Sequence, residues 1–328
     1  MKAITYSQYG PPDVLQLAEA PKPIPADDEI LVRVRAVSVN RSDWERLTGK
    51  PLYARFGGLL RPGNSILGSD VAGTVEAVGK NHTQFKPGDE IFGEMAGYCG
   101  GFAEYVCTRG KIWTLKPAGL TFEQAAAIPQ AGVIALQGLR DKIQPGQSVL
   151  INGAGGGAGS FAIQLAKLYG AEVSGVDNTG KLDFMRSLGA DHVIDYTHED
   201  FTRNGRQYDL VLDLIADRSA SACAGALKSG GSYFLVGGSN TTLLQFLFLG
   251  PWIRRSSGKQ VGFLMVQRNR EDLQRITELC ASGKIIVPID RQYPLSEVPE
   301  ALLYLGEGHA KGKIVIAMDI GQQNRSRE

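Results

Sequence analysis

Residues 152–159 constrain the fold of this 328-residue chain more tightly than any other segment. The run Asn152-Gly153-Ala154-Gly155-Gly156-Gly157-Ala158-Gly159 follows the apolar triplet Val149-Leu150-Ile151. It precedes Phe161, Leu165 and Leu168, spaced i, i+4 and i+7 as on one helix face, and Gly170 stands where such a helix would end. A glycine run alone suits any tight turn. Between a strand and a helix it says more, because Gly153, Gly155 and Ala158 satisfy G-x-G-x-x-G/A. Backbone N–H groups and the helix N-terminus then favour a pyrophosphate.

The same cycle recurs downstream. Strands are expected at 173–176, 192–195, 210–213, 232–236 and 262–266, with helices at 181–188, ending at Gly189, and at 220–227. Strands alternating with helices predict an α/β fold with a doubly wound parallel sheet. Asp177 ends the second strand, 24 residues after Gly153, near the offset at which an acid accepts the hydroxyls of an adenosine ribose. It also suits a solvated turn in Asp177-Asn178-Thr179-Gly180. As a ribose acceptor it would repel a 2′-phosphate and favour NADH, while Lys181 offers partial compensation, so NADH and NADPH both stay open.

Before this region the texture is strand-rich and helix-poor. Leu31, Val32, Val34 and Ala36 partly alternate with Arg33 and Arg35, similar short strands follow at 71–78 and near 102–107, and Pro62-Gly63-Asn64, Pro87-Gly88-Asp89 and Gly100-Gly101 mark turns. Beyond it, a helix is expected over 271–282, with Leu273, Ile276 and Leu279 apolar, and then a β-like tail over 313–317 that rejoins the first part. Two domains result, as a length of this order suggests at roughly 150 residues each. One is discontinuous, 1–124 and 268–328, and 125–267 forms the dinucleotide-binding domain. Residues 321–328 carry no apolar side chain and read as frayed.

Lys plus Arg total 35 against 34 Asp plus Glu, a formal charge of +1, which argues against a nucleic-acid partner. Four scattered cysteines, 99, 107, 223 and 280, give no disulfide framework, and no export signal precedes Gly10-Pro11-Pro12; a cytoplasmic protein is expected. The longest apolar stretch, 243–253, is broken by Gln245 and Gly250-Pro251 and falls short of the roughly 20 residues that cross a bilayer. It reads as a buried or dimer-facing segment, with no membrane partner. Gly makes up 41 residues, which fits a site built largely from backbone.

Three further segments carry a family resemblance: Leu67-Gly68-Ser69-Asp70-Val71-Ala72-Gly73-Thr74-Val75-Glu76-Ala77-Val78-Gly79, Gly101-Phe102-Ala103-Glu104-Tyr105-Val106 and Arg186-Ser187-Leu188-Gly189-Ala190-Asp191-His192-Val193. The chain resembles the medium-chain dehydrogenase/reductase superfamily, specifically its zinc-free quinone oxidoreductase-like branch, almost from end to end. The resemblance implies a GroES-like catalytic domain and a Rossmann domain, with the nicotinamide in the cleft between them. Zinc-dependent members carry Gly-His-Glu where this chain has Gly68-Ser69-Asp70, and a ligand Cys where it has Asn40; the four Cys of a structural zinc lobe are also missing. No zinc is expected.

By the same resemblance, Asn40, Asp43 and Trp44 lie beside the nicotinamide, and Asn40 leads as a hydrogen-bond donor to a developing oxyanion. Read without it, Asn40 caps a turn, Asp43 starts a helix and Trp44 packs in the core. Tyr53 stands in a substrate loop as a donor, or as a packing residue. The cofactor positions implied are Asn40, then Gly155, Gly156, Gly157 and Ala158 at the pyrophosphate, and Asp177, Asn178, Lys181 and Tyr196 near the adenosine. Ile215, Gly237-Gly238 and the backbone of Phe263-Leu264-Met265 complete the set. Many relatives have Thr where Ile134 stands, so a hydroxyl is lost there.

A metal Lewis acid lowers the pKa of a bound oxygen toward 7, and its loss disfavours simple alcohol oxidation. Quinones and α,β-unsaturated carbonyls are already electrophilic, and orientation alone can supply about 7–11 kcal/mol of the barrier to their reduction. An NAD(P)H-dependent reductase of such small molecules is therefore expected. A 2-enoyl thioester reductase is the nearest rival and would need a channel for an acyl chain. A catalytically weak nucleotide-sensing, structural or single-stranded-RNA-binding homologue is the third; the near-zero charge opposes RNA, and the intact glycine loop supports cofactor binding. A homodimer is expected, because relatives pair Rossmann edges and 243–253 would otherwise expose an apolar patch.

Overall fold

The computed structural model describes residues 1–318, so the tail expected to fray, 321–328, lies outside the described residues. The chain divides into two compact units. Among the described residues, the first comprises Met1–Gln130, Arg268–Gly283 and 289–318; the second comprises Ala131–Gln267 and Lys284–Pro288. The division thus falls six residues beyond the expected 124/125, because the helix Phe122–Ala126 packs on strands of the first unit. The short 284–288 segment joins the second unit, where the Gln164 side chain donates to the Ile286 carbonyl and accepts from the Ile286 N–H.

The first unit is built on a seven-stranded sheet around Ile30–Val39. That strand pairs antiparallel with Asp70–Val78, with Lys313–Ala317 and, over its first half, with Tyr105–Thr108. Glu90–Glu94 and Thr114–Leu115 extend one side; Ile289–Tyr293 closes the other, parallel to Lys313–Ala317. Arg33 is exposed while Val32 and Val34 are buried, as the alternation predicts, but from Ala36 to Val39 every residue is buried and the alternation ends. Polar residues in that stretch must therefore find partners inside the protein.

The second unit holds a six-stranded, all-parallel sheet. Its order is His192–Asp195, Glu172–Asp177, Ser148–Asn152, Tyr208–Asp213, Leu227–Leu235 and Gln260–Phe263. The chain starts in the middle at Ser148–Asn152, winds outward one way, returns, and winds outward the other way. This creates a crevice at the carboxyl ends of the two central strands, where doubly wound sheets bind ligands. Val149, Leu150 and Ile151 are fully buried, and the helix Gly157–Leu168 buries Phe161, Ala162, Leu165 and Ala166 against them.

The apolar stretch 243–253, expected to be buried or dimer-facing, is buried on one side only. It lies in the helix Asn240–Ser257, and Leu244, Leu247, Phe248 and Trp252 are 54–72% exposed. Spacings of three, four and eight residues place these side chains on one helix face, and the opposite face, with Phe246 and Ile253, is the one that packs. Among the described residues no helix is long and apolar enough to cross a membrane.

Candidate functional site

In the second unit, the residues expected to hold a cofactor follow the strand ends one after another. The Gly153–Ala158 loop follows Asn152, Asp177 ends its strand and leads into Asn178 and Lys181, Tyr196 follows Asp195, and Ile215 follows Asp213 two residues on. Gly237 and Gly238 follow Leu235, and Leu264 and Met265 follow Phe263. Gly153 has φ 81°, a left-handed conformation that turns the strand into the loop. The close approach falls on Gly159, one residue beyond the Ala158 that satisfies the motif: a Cβ there would lie 2.2 Å from the Gly153 carbonyl oxygen. The helix N-cap, Gly156, makes no side-chain capping bond, so the first-turn amides are not closed off by a side chain.

Asp177 is only 7% exposed and is already engaged. Its Oδ2 accepts from the Gly155 N–H at 3.0 Å, its Oδ1 accepts from the Asn178 N–H at 2.9 Å, and the Lys181 ammonium lies 3.2 Å from Oδ1. The Lys181 stem covers Gly155, where a Cβ would meet its Cδ at 2.7 Å. Carboxylate and ammonium are therefore one ion pair anchored to the glycine loop. Tyr196, Ile215 and Met265 are exposed side chains at the neighbouring strand ends.

In the first unit, Asn40 ends the Ile30–Val39 strand and caps the helix Arg41–Thr48; its backbone N–H donates to Asp43 Oδ2 at 2.8 Å in a capping box. Asp43 also accepts from the Gly68 N–H and the Ser69 hydroxyl. The Lys313 ammonium, which can only donate, faces Asn40 Oδ1. This fixes the amide, and both Nδ2 hydrogens go inward, to Ser69 Oγ and to Asp70 Oδ2, each at 2.9 Å. In this arrangement Asn40 has no hydrogen left for an oxyanion; what it can offer a ligand is the second lone pair of Oδ1.

Trp44 packs on the core of this unit, its ring against Gly306, where a Cβ would lie 2.3 Å away. Tyr53 lies in the short helical turn Leu52–Arg55 and donates to the Glu45 carboxylate; burial, then that carboxylate, pushes its hydroxyl up to about 12. A phenol so held is a poor acid near neutral pH.

Sequence reasoning missed the rest of this network. The Gln130 N–H donates to Asp70 Oδ2 at 3.0 Å, and its side chain donates to Glu94 Oε1 at 3.1 Å and accepts from the Ser42 hydroxyl. Register explains the gathering: Ser38, Asp70 and Glu94 are direct cross-strand partners on three adjacent strands, so their side chains share one face of the sheet. The available signal was a charged residue inside an apolar strand, as with Lys313 before Ile314-Val315-Ile316, all fully buried.

Three carboxylates and one ammonium cannot all stay charged here without strain. Burial pushes Asp43 up to about 7, and burial together with the Asp70 charge pushes Glu94 up to about 8. Glu94 thus binds its proton more tightly folded than unfolded, and the stability this contributes is full below about pH 4.5 and lost as pH rises through about 8. Glu94→Gln keeps an oxygen to accept from Gln130 and carries no charge. Its unfolding free energy, from urea titration, is expected to fall less than that of wild type between pH 5 and 9, by on the order of 1–3 kcal/mol; parallel pH profiles would contradict the assignment.

Two family models match the chain: an alcohol dehydrogenase GroES-like domain over residues 26–118 and a zinc-binding dehydrogenase over residues 188–316. A 2-methylene-furan-3-one reductase of Solanum lycopersicum is 35% identical across 96% of this chain and 79% of its own length. The chain belongs to the medium-chain dehydrogenase/reductase superfamily, in its quinone oxidoreductase-like branch. A chloroplastic NADPH-dependent alkenal/one oxidoreductase of Arabidopsis thaliana is 34% identical over the same shares. The solved quinone oxidoreductase of Coxiella burnetii superposes with a TM-score of 0.86 at 31% identity, covering 97% of this chain and 99% of that one. GroES-like and Rossmann-like domains of this superfamily therefore account for the two units.

The zinc that one family description implies does not fit the residues present. Asn40 and Ser69 are weak ligands for zinc compared with Cys and His, and Asn40 Oδ1, the amide's only ligating oxygen, is covered by an ammonium. Among the described residues no group of three or more His, Cys, Asp or Glu side chains is placed to hold a metal.

Proposed function

We propose that the protein is a zinc-independent, NAD(P)H-dependent reductase of quinones or α,β-unsaturated carbonyls. The observation that carries this reading is the series of six strand ends, with an uncapped helix N-terminus behind a glycine loop, in a chain whose relatives are named quinone and alkenal/one oxidoreductases. The N–H groups of Gly157 and Ala158 would hold the pyrophosphate; Gly155 and Gly156, whose own N–H groups donate to Asp177 Oδ2 and to the Gly153 carbonyl, would shape the loop around it, and Asp177, Lys181 and Tyr196 would hold the adenosine end. Ile215, Gly237, Gly238 and the backbone of Phe263, Leu264 and Met265 would flank the nicotinamide. When bound, the reduced nicotinamide supplies a hydride. Asn40, held by Lys313, Ser69 and Asp70, contributes a fixed acceptor, and the acceptor molecule's own electrophilicity replaces a Lewis acid.

The Asp177–Lys181 ion pair has no net charge, which supports the use of either nicotinamide: the carboxylate suits a ribose diol and the ammonium a 2′-phosphate. Titration of nicotinamide fluorescence with NADH and NADPH separately tests this reading, with saturable binding of both expected. Binding of neither would overturn the cofactor assignment.

A homodimer completes the reading. The helix Asn240–Ser257 packs beside the terminal strand of the sheet, Gln260–Phe263, with its other, apolar face exposed, and a second copy would cover that face. Sedimentation at micromolar concentration is expected to give about twice 35.3 kDa, and Phe248→Asp to shift it to the monomer; a wild-type monomer would contradict it. The four cysteines, none in a disulfide, suit a reducing compartment and the cytoplasm.

A further inference from the structure

Three turns of the second unit, following Ser148–Asn152, Tyr208–Asp213 and Leu227–Leu235, interlock around one carboxylate. Asp213 is 1% exposed. Its Oδ1 accepts from Asn152 Nδ2 at 2.8 Å and from the backbone N–H groups of Ile215 and Ala216, each at 2.9 Å; its Oδ2 accepts the Tyr233 hydroxyl. Ala216 has φ 59°, and among the described residues only Asp141 shares a positive φ without being glycine. An L side chain there crowds its own backbone, so something must hold it. The two N–H bonds to Asp213 do so. The result is transmitted to both neighbouring turns: a Cβ on Gly153 would lie 2.9 Å from Ile215 Cδ1, and a Cβ on Gly238 would lie 2.9 Å from Ala216 Cβ.

We infer that Asp213 is a positioning residue of the cofactor site: it locks Ala216 in the left-handed conformation and so sets Ile215 against the glycine loop at the central crevice. Buried among protein donors, it touches no ligand and acts only through this turn. The inference rests on the cofactor reading above.

Asp213→Asn can turn its NH2 group to the Tyr233 hydroxyl and keep its oxygen on the turn, but a neutral amide oxygen accepts from the Ile215 and Ala216 N–H groups more weakly than a carboxylate does, and the turn loosens. NADH and NADPH dissociation constants, read by nicotinamide fluorescence, are expected to rise roughly tenfold or more. Ala216→Gly removes the crowding at φ 59°, so the double variant Asp213→Asn/Ala216→Gly is expected to recover most of that loss, whereas a purely structural Asp213 would leave the two changes independent. Equal effects of Ala216→Gly in both backgrounds, or wild-type affinity in Asp213→Asn, would overturn the inference while leaving the cofactor reading intact. Wild-type protein that binds neither nicotinamide would overturn both. Should Asp213→Asn fail to fold, Ala216→Val tests the same point: a β-branched side chain resists this φ, and binding weakened at least tenfold is expected. Wild-type affinity in that variant would overturn the inference.

Discussion

Gly159→Ala is expected to weaken NADH and NADPH binding by about 10–100-fold with the fold retained. The added methyl would sit 2.2 Å from the Gly153 carbonyl oxygen and 2.6 Å from Ala154 Cα. Both are backbone atoms, so relief requires moving the loop, and the loop's N–H groups are the proposed phosphate donors. Overpacking of this kind typically costs about 1–3 kcal/mol, which a fold of ordinary stability tolerates. Fluorescence titration beside a thermal melt separates the two effects. Wild-type affinity in Gly159→Ala would show that the loop can shift freely, and the assignment of its amides would fall.

Lys313→Met is expected to be the most destabilising single change in the first unit. Lys313 is 2% exposed and is the ammonium that faces Asn40 and the Asp43 and Asp70 carboxylates; burial lowers its pKa and those carboxylates raise it. Removing one partner of a buried ionic cluster typically costs about 3–5 kcal/mol, because uncompensated charge stays behind. Asp70 has its pKa raised by burial and lowered by Lys313, so without the lysine it takes up a proton more readily still. The deficit is therefore expected to shrink as pH falls toward 5 and the carboxylates become neutral. A deficit of the same size at pH 5 and pH 8 would mean that Lys313 acts through packing alone. Nicotinamide binding, which this reading places on the second unit's strand ends, is expected to persist wherever the variant is folded.

The placement of the candidate cofactor residues at strand ends was legible in the sequence because local rules govern it. A short apolar run, a glycine turn and a 3.6-residue period each act over a few residues, so they place Gly153–Ala158 at a strand end without knowledge of the fold. The spacing missed by one residue where contact decides: Ala158 satisfies the motif, and Gly159 makes the close approach. The polar network around Asn40 was not legible, because strand register assembles it. Asn40, Asp70, Glu94, Gln130 and Lys313 come from five separated segments, and nothing near Asn40 announces that both its amide hydrogens face inward. Asp213 was hidden differently. Asp177, Asp195 and Asp213 all end parallel strands and all accept from backbone N–H groups, and only the left-handed Ala216 after the last sets its carboxylate apart. The stretch 243–253 could be read only as buried or dimer-facing, because apolar composition reports what a side chain prefers, and packing decides which helix face is left uncovered.

The most direct test of the central claim is the quinone-dependent oxidation of NADPH, and separately NADH, by wild-type protein dialysed against a strong zinc chelator, with phenanthrenequinone as acceptor and nicotinamide absorbance as the readout. The account predicts turnover that is undiminished by the chelator and dependent on the quinone. Turnover that disappears on chelation and returns with added zinc, or saturable nicotinamide binding with no oxidation by any quinone or conjugated enone, would contradict it.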